Sequence, residues 1–156
     1  MINPFIIDPK SRLAAWKQVR IDVQKSNNIE EKINVALKFW RMAPLENPIL
    51  DWDDSSKWPT PWELIHNNHF CDSTLSLALA YTLVLSDPES FSDIKLLLIT
   101  DRLNHIQKII VKTNNIILNY GWLDSSPSTI LSTVNIHDMW KFDGKKWYNY
   151  NNQQSF

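Results

Sequence analysis

Apolar residues in the first part of the chain recur at the spacing of an α-helix. Between Ser11 and Lys25 they return every three or four positions, which predicts a helix whose N-cap is Ser11. The same spacing predicts a second helix from Ile29 to Met42, which Pro44 ends. Only a short polar break separates the two helices, so they are predicted to form a hairpin over residues 11–42.

A third apolar segment has almost no polar side. From Cys71 to Ser86 the residues are predominantly apolar on every face, which predicts a helix buried in the centre of the domain. Pro61 is placed to begin a short helical turn before this segment. Asp87 and Pro88 are expected to end the buried helix.

The hydrophobic period changes from Ile94 onward. Three short runs rich in Ile, Leu and Val follow within residues 94–120 and predict sequential antiparallel strands. Thr113 to Asn115 is a suitable hairpin turn, and Asp143-Gly144 predicts a second hairpin near the end of the chain. A short helix is predicted over residues 126–134.

Helices therefore come first and strands second, which predicts an α+β fold. The helices, including the buried cysteine-bearing helix, are expected to pack on one face of an antiparallel sheet. One domain is predicted over residues 1–150, with a helical hairpin at 11–42, a motif loop at 43–70, a core helix at 71–86 and a sheet at 94–150. The tail, 151–156, is expected to be disordered.

Composition excludes several functional classes. The formal net charge is −1 and basic runs are absent, which argues against a nucleic-acid partner. Only two glycines occur, which excludes glycine-rich phosphate-binding loops. The sequence has neither an apolar run of about 18 residues nor the apolar core of a signal peptide. We therefore expect no membrane partner and a cytoplasmic location.

The one cysteine of the chain stands where a helix begins. The positive end of a helix dipole and the unpaired N–H groups there favour a thiolate and can stabilise an oxyanion. A base must come from elsewhere, and His105 opens the second predicted strand. If the hairpin is centred near residue 112, Asn119 lies opposite His105 and can orient its imidazole. Cys71, His105 and Asn119 are therefore the predicted catalytic residues.

Two other interpretations use the same segment. Cys71 is also consistent with a small buried hydrophobe. The spacing of His66, His69 and Cys71, with Asp72 or His137 as a fourth ligand, suggests a metal site, although structural zinc sites have closer pairs and more cysteines. We predict no metal and no cofactor.

Aromatic residues precede the cysteine. Trp58 and Trp62 are candidates to line a substrate groove, or else they pin the long loop to the core. Asn68 and Trp58 are also candidate second donors to an oxyanion.

The segment Trp58-Pro-Thr-Pro-Trp-Glu63 resembles the W-x-T-P-x-E segment of the bacterial transglutaminase-like cysteine proteinases, which belong to the papain-like superfamily. In that family the segment precedes a G-D-C-E-D-x-A helix start, which this chain matches at Cys71 and Asp72. The resemblance covers about residues 58–150. It implies a transglutaminase-like fold with Cys71 as nucleophile, His105 as base and Asn119 at the position of the family's aspartate.

The chain also departs from that family. His69 and Phe70 replace the Gly-Asp pair, Ser73 replaces the second acid, and Phe70 is placed to close the approach to the thiol. Two functions follow as expectations. One is a thiol hydrolase or acyl transferase acting on a peptide or another amide. The other is an inactive binding or assembly module with a protein partner, such as a phage structural or accessory protein in the host cytoplasm or the virion.

Overall fold

The computed structural model describes residues 3–45, 54–68, 70–118 and 132–149. These residues form an α+β fold, as predicted, and within them no helix has both the length and the apolarity needed to cross a membrane. The helices are α1 (Pro9–Lys25), α2 (Ile29–Trp40), α3 (Pro61–Asn67) and α4 (Asp72–Ser86). The strands are β1 (Lys95–Asp101), β2 (Ile106–Thr113), β3 (Ile116–Leu118), β4 (Val134–Phe142) and β5 (Trp147–Asn149).

The described residues divide into two compact units. The helical unit contains α1 to α4. The sheet unit contains the five strands together with Trp58 and the 3₁₀ turn Ser55–Lys57 that precedes it.

Helix α1 begins two residues earlier than predicted. Asp8, not Ser11, is its N-cap, and the Asp8 carboxylate accepts the backbone N–H of Ser11 at 2.9 Å. Pro9 occupies the first helical position, where its missing N–H costs nothing. Ser11 instead donates its hydroxyl to Asp8 at 2.8 Å. The prediction failed because an aspartate followed by proline is a better helix start than the serine that follows them.

The second helix, α2, ends at Trp40, two residues before the predicted end.

Buried Lys32 of α2 contacts residues at the ends of two other helices. Its Nζ donates to the carbonyl of Val23 near the end of α1 at 3.1 Å and pairs with Asp87 after α4 at 3.1 Å.

The core of the helical unit is organised around one hydroxyl. Fully buried Trp16 and Trp40 both donate their indole N–H to Thr82 Oγ1, at 2.9 and 2.8 Å. Thr82 in turn donates to the carbonyl of Ala78 at 2.8 Å. Because α4 receives hydrogen bonds from α1 and α2 and is buried on nearly all sides, it is the central helix that the sequence predicted.

The sheet has the order β3-β2-β1-β4-β5, and each neighbouring pair is antiparallel. Both predicted hairpins are present. The first turns at Asn114 and Asn115, which adopt positive φ angles of 51° and 60°. The second turns at Asp143-Gly144, where Gly144 has a φ of 101°. The helix predicted over 126–134 lies outside the described residues up to 131, and Val134 begins β4 instead.

Candidate active site

Cys71 is the N-cap residue of α4, with extended backbone angles. Cys71 is a free cysteine, and the residue as a whole has intermediate exposure. The predicted placement at the start of a buried helix is therefore correct, and the residue is not fully buried as a small core hydrophobe would be.

Thr74 holds the backbone of Cys71. The N–H of Cys71 donates to Thr74 Oγ1 at 2.7 Å, and this hydroxyl lies 3.0 Å from the carbonyl oxygen of Cys71 and 3.6 Å from its sulfur. Thr74 is buried at the third position of the helix, where capping residues commonly reach back to the N-cap. The backbone N–H of Cys71 was predicted to be an oxyanion-hole donor. In the structure it already donates to the hydroxyl of Thr74.

Phe70 belongs to the core of the helical unit. It is fully buried and packs edge-on against Phe5 and Trp40, with ring centroids 5.6 and 5.5 Å away. Its backbone forms an isolated parallel bridge with Leu45. That Phe70 closes the approach to Cys71 stays a prediction.

His105 lies in the turn between β1 and β2, one residue before the strand that it was predicted to open. Its φ of 57° is in the left-handed region, which non-glycine residues seldom adopt, and its N–H donates to the carbonyl of Asp101 at 2.8 Å. The side chain is exposed. Such backbone strain persists only where surrounding contacts enforce it, and it is concentrated at functional sites.

Buried Asp101 enforces the conformation of this turn. Its carboxylate accepts the backbone N–H groups of Leu103 at 2.9 Å and Asn104 at 3.3 Å, and the Asn104 amide at 2.9 Å. Arg102 adds bonds to Asn135 and to the carbonyl of Ser132. The position of His105 is therefore set by a hydrogen-bonded network and not by strand pairing.

The register of the hairpin differs from the one used to pair His105 with Asn119. Thr113 lies opposite Ile116 and Val111 opposite Leu118, so the hairpin is centred between Asn114 and Asn115, not at residue 112. The position of the asparagine turn sets this centre, because both of its residues accept the positive φ of a tight turn. Asn119 lies outside the described residues, and its part in the site stays a prediction.

The two tryptophan candidates have different surroundings. Trp58 is buried in the sheet unit against Trp140, with ring centroids 5.0 Å apart. Trp62 of the helical unit is 51% exposed and contacts the edge of Trp16 at 5.2 Å. The described contacts of Trp58 are those of a packing residue, whereas Trp62 presents an open aromatic surface.

Asn68 ends α3 in the left-handed conformation, with a φ of 58°. Its amide nitrogen donates to the carbonyl of Phe5 at 2.9 Å, while its buried Oδ1 has no partner among the described residues. The amide that was a candidate oxyanion donor is thus bonded within the helical unit.

The segment from Trp58 to Glu63 has a local structural role. Thr60 and Glu63 form a capping box at the start of α3, with bonds of 3.2 and 3.1 Å between each side chain and the other residue's N–H. Pro61 fills the first helical position. A threonine followed three positions later by glutamate is a recognisable helix-start signal. The capping box therefore accounts for Thr60 and Glu63 through the start of α3, without a catalytic role.

The metal alternative has no support among residues 3–45, 54–68, 70–118 and 132–149, where groups of three or more His, Cys, Asp or Glu suited to a metal are absent. His69 lies outside these residues. His137 is exposed on β4, and its Nε2 lies 2.6 Å from the hydroxyl of Thr100.

The fold resembles that of LapG from Legionella pneumophila, which agrees with the transglutaminase-like fold predicted from the sequence. Two solved LapG structures illustrate the match. One LapG structure matches with a TM-score of 0.67 and 12% sequence identity, covering 92% of this chain and 82% of LapG. Its calcium-bound form matches with a TM-score of 0.69 and 13% identity over 93% of this chain and 81% of LapG. No protein-family model and no curated protein sequence matches the chain.

Proposed function

We propose that the chain is a thiol hydrolase or acyl transferase that acts on amide bonds. Cys71 is the nucleophile, His105 is the base and Asn119 orients the imidazole. The observation that carries this proposal is the position of the single, partly exposed cysteine at the N-cap of a buried helix in a protease fold. The enforced turn at His105 supports it, since a base must be held in a defined orientation.

In this mechanism His105 accepts the thiol proton and the sulfur attacks the amide carbonyl carbon. The tetrahedral intermediate collapses to a thioester as the amine leaves with the proton from His105. Water, or a second amine in the transferase case, then releases the acyl group. The Cys71 N–H can bind the oxyanion if the substrate oxygen takes the place of Thr74 Oγ1, and Asn68 or Trp58 is the proposed second donor.

The substrate class is a peptide, an isopeptide or a peptidoglycan-type amide, with Trp58 and Trp62 proposed to line its groove. The proposal extends to a cytoplasmic location, including the host cytoplasm or the virion if the gene belongs to a phage. The chemistry uses side chains and backbone N–H groups alone, so no cofactor is part of it.

Alkylation of Cys71 by iodoacetamide at pH 6 tests the proposal. An activated thiol should react at least about ten-fold faster than a free cysteine at this pH, because the thiolate is the reacting species. His105→Ala should remove that advantage, while Cys71→Ala confirms that no other group is labelled. Reaction of the wild type at the rate of a free thiol would refute activation of Cys71.

A second candidate function is a binding or assembly module that has lost catalysis. The observation that favours it is the occupied N–H of Cys71, which Thr74 satisfies within the protein. A defined oligomer or a co-purifying protein partner, together with an unreactive thiol, would support this candidate over the enzyme.

A further inference from the structure

One face of α1 carries two neighbouring depressions, whose lining shares only Trp62 with the proposed substrate groove. The exposed positions on this face recur at three- and four-residue intervals from Lys10 to Gln24. At 1.5 Å per residue they span about 21 Å along the helix. We call this surface the α1 groove.

The first depression of the α1 groove is apolar. It has a volume of about 480 Å³. Its lining residues are Pro9, Lys10, Leu13, Trp62, Ile65 and His66. Leu13 and Trp62 are 38% and 51% exposed, which is unusual for large apolar side chains set side by side. The lining surface of this depression is therefore mainly apolar.

The second depression is smaller and more polar. It has a volume of about 190 Å³. Its lining residues are Lys17, Arg20, Ile21, Gln24, Leu85 and Ser86. The two cations here face no lining carboxylate, and Lys10 adds a third cation to the first depression.

Arg20 has a donor that the protein leaves unused. Its guanidinium stacks on Trp16, 4.1 Å from the ring centroid, and lies 5.4 Å from Trp62. Its Nε is buried and has no hydrogen-bond partner among the described residues. Burial also lowers the pKa of Arg20, since the charged form loses hydration.

Arg12, on the same helix, has hydrogen-bond acceptors for its guanidinium, as buried arginines usually do. Its nitrogens donate to the carbonyls of Ile65 at 2.7 Å, Ile7 at 2.6 Å and His66 at 2.9 Å. By contrast, Arg20 is held by stacking on the Trp16 ring and not by hydrogen bonds among the described residues. Of the anionic groups, a carboxylate fits the planar fork of a guanidinium best.

We propose that the α1 groove binds an acidic peptide segment of a protein partner that also carries large apolar side chains. The apolar side chains would occupy the depression at Leu13 and Trp62, while carboxylates would bind Arg20 and Lys17. An extended segment of about six residues matches the length of the groove. This inference shares Trp62 with the proposed substrate groove, but neither Cys71 nor His105 takes part in it.

A peptide suits the groove better than the other anionic partners. Nucleic-acid binding needs many phosphate contacts and a basic excess, whereas the chain carries a net charge of −1. One depression is apolar and the other is lined by two cations. A ligand that fills both therefore needs apolar side chains at one end and carboxylates at the other.

Fluorescence anisotropy of a labelled synthetic peptide of about eight residues, with a Leu-rich half and a Glu-rich half, tests the inference. The Lys17→Glu/Arg20→Glu variant should weaken its binding at least about ten-fold, because both cations become repulsive. Lys145→Glu/Lys146→Glu, on the exposed hairpin of the sheet unit, makes the same change in net charge and should leave binding within about two-fold of wild type. Leu13→Gln should weaken binding without changing its salt dependence.

The inference is overturned if the Leu/Glu peptide does not bind, if a Leu/Lys peptide binds equally well, or if both double variants weaken binding alike. Tighter binding of oligo-dT or of phosphatidylserine vesicles at the α1 groove would also overturn it in favour of a different partner class. Alkylation of Cys71 is measured on the same samples, so loss of peptide binding and failure of the proposed catalysis are seen separately.

Discussion

The backbone N–H of Cys71 donates to Thr74 Oγ1 at 2.7 Å, and the same hydroxyl lies 3.6 Å from the Cys71 sulfur. One threonine thus contacts both groups with which a cysteine nucleophile acts, its sulfur and its oxyanion donor. The contact also explains how α4 begins at a residue that is a poor N-cap, since the hydroxyl satisfies the N–H at the boundary.

Thr74→Val should slow alkylation of Cys71 at pH 6 by about five-fold, the value of one hydrogen bond of about 1 kcal/mol to the thiolate. Thr74→Ser, which keeps the hydroxyl, should react at the wild-type rate. Equal rates for Thr74→Val and wild type would show that the hydroxyl only caps the helix.

Asp101→Ala should loosen the turn that holds His105 and thereby slow Cys71 alkylation as much as His105→Ala does. The reason is that the Asp101 carboxylate accepts three N–H groups of this turn. Asp143→Ala is a matched control, since Asp143 accepts the N–H groups of Lys145 and Lys146 in the other hairpin. Equal alkylation rates in Asp101→Ala and Asp143→Ala would show that Asp101 does not affect the reactivity of the Cys71 thiol.

Thr82→Val should lower the free energy of unfolding by about 2–4 kcal/mol, because two buried indole N–H groups lose their acceptor. Urea unfolding followed by circular dichroism measures the loss. Thr82→Ser keeps the acceptor and should retain most of the stability. A loss no larger in the valine variant than in the serine variant would mean that the two indoles do not depend on this hydroxyl.

Asp87 should contribute stability at neutral pH that disappears in acid. Hydrogen bonds from Ser90, and then the bond and charge of Lys32, lower the pKa of Asp87 below its ordinary 3.8. The folded state therefore favours the carboxylate, and its contribution is present above pH 3.8 and is lost as the pH falls through the lowered value.

The urea midpoints of wild type and Asp87→Asn should consequently differ at pH 6 and converge as the pH falls below 3.8. The comparison is made at several pH values in one buffer series. A gap that stays constant over this range would show that the ionisation of Asp87 is not coupled to folding.

Whether a segment forms a helix, a strand or a turn could be predicted from the sequence, because each depends on residues close together in the chain. The buried helix α4, the proline that opens α3 and the glycine turn at residue 144 all follow from periodicity or from backbone preference. The start of α1 was misread where two capping residues compete, and Asp8 with Pro9 gives the better cap.

The site was less predictable because its geometry depends on hydrogen bonds between residues of no distinctive pattern. The hairpin centre was misplaced by about two residues because Asn114 and Asn115, and not residue 112, accept positive φ. The roles of Thr74 and Asp101 were missed, although a threonine three positions after a helix start is a recognisable capping pattern. The unused donor of Arg20 depends on its surroundings and has no signal in the sequence.

The order of strands in the sheet also bears on how the chain is made. Asp101 of β1 pairs with Ile106 on one side, a partner only a turn away, but with Val134 on the other. A chain emerging from the ribosome therefore forms the β1–β2 hairpin first and leaves the second edge of β1 without its partner until β4 has been synthesised. During that interval the bare edge is open to strand addition by another nascent chain, so slow translation through this stretch should favour aggregation.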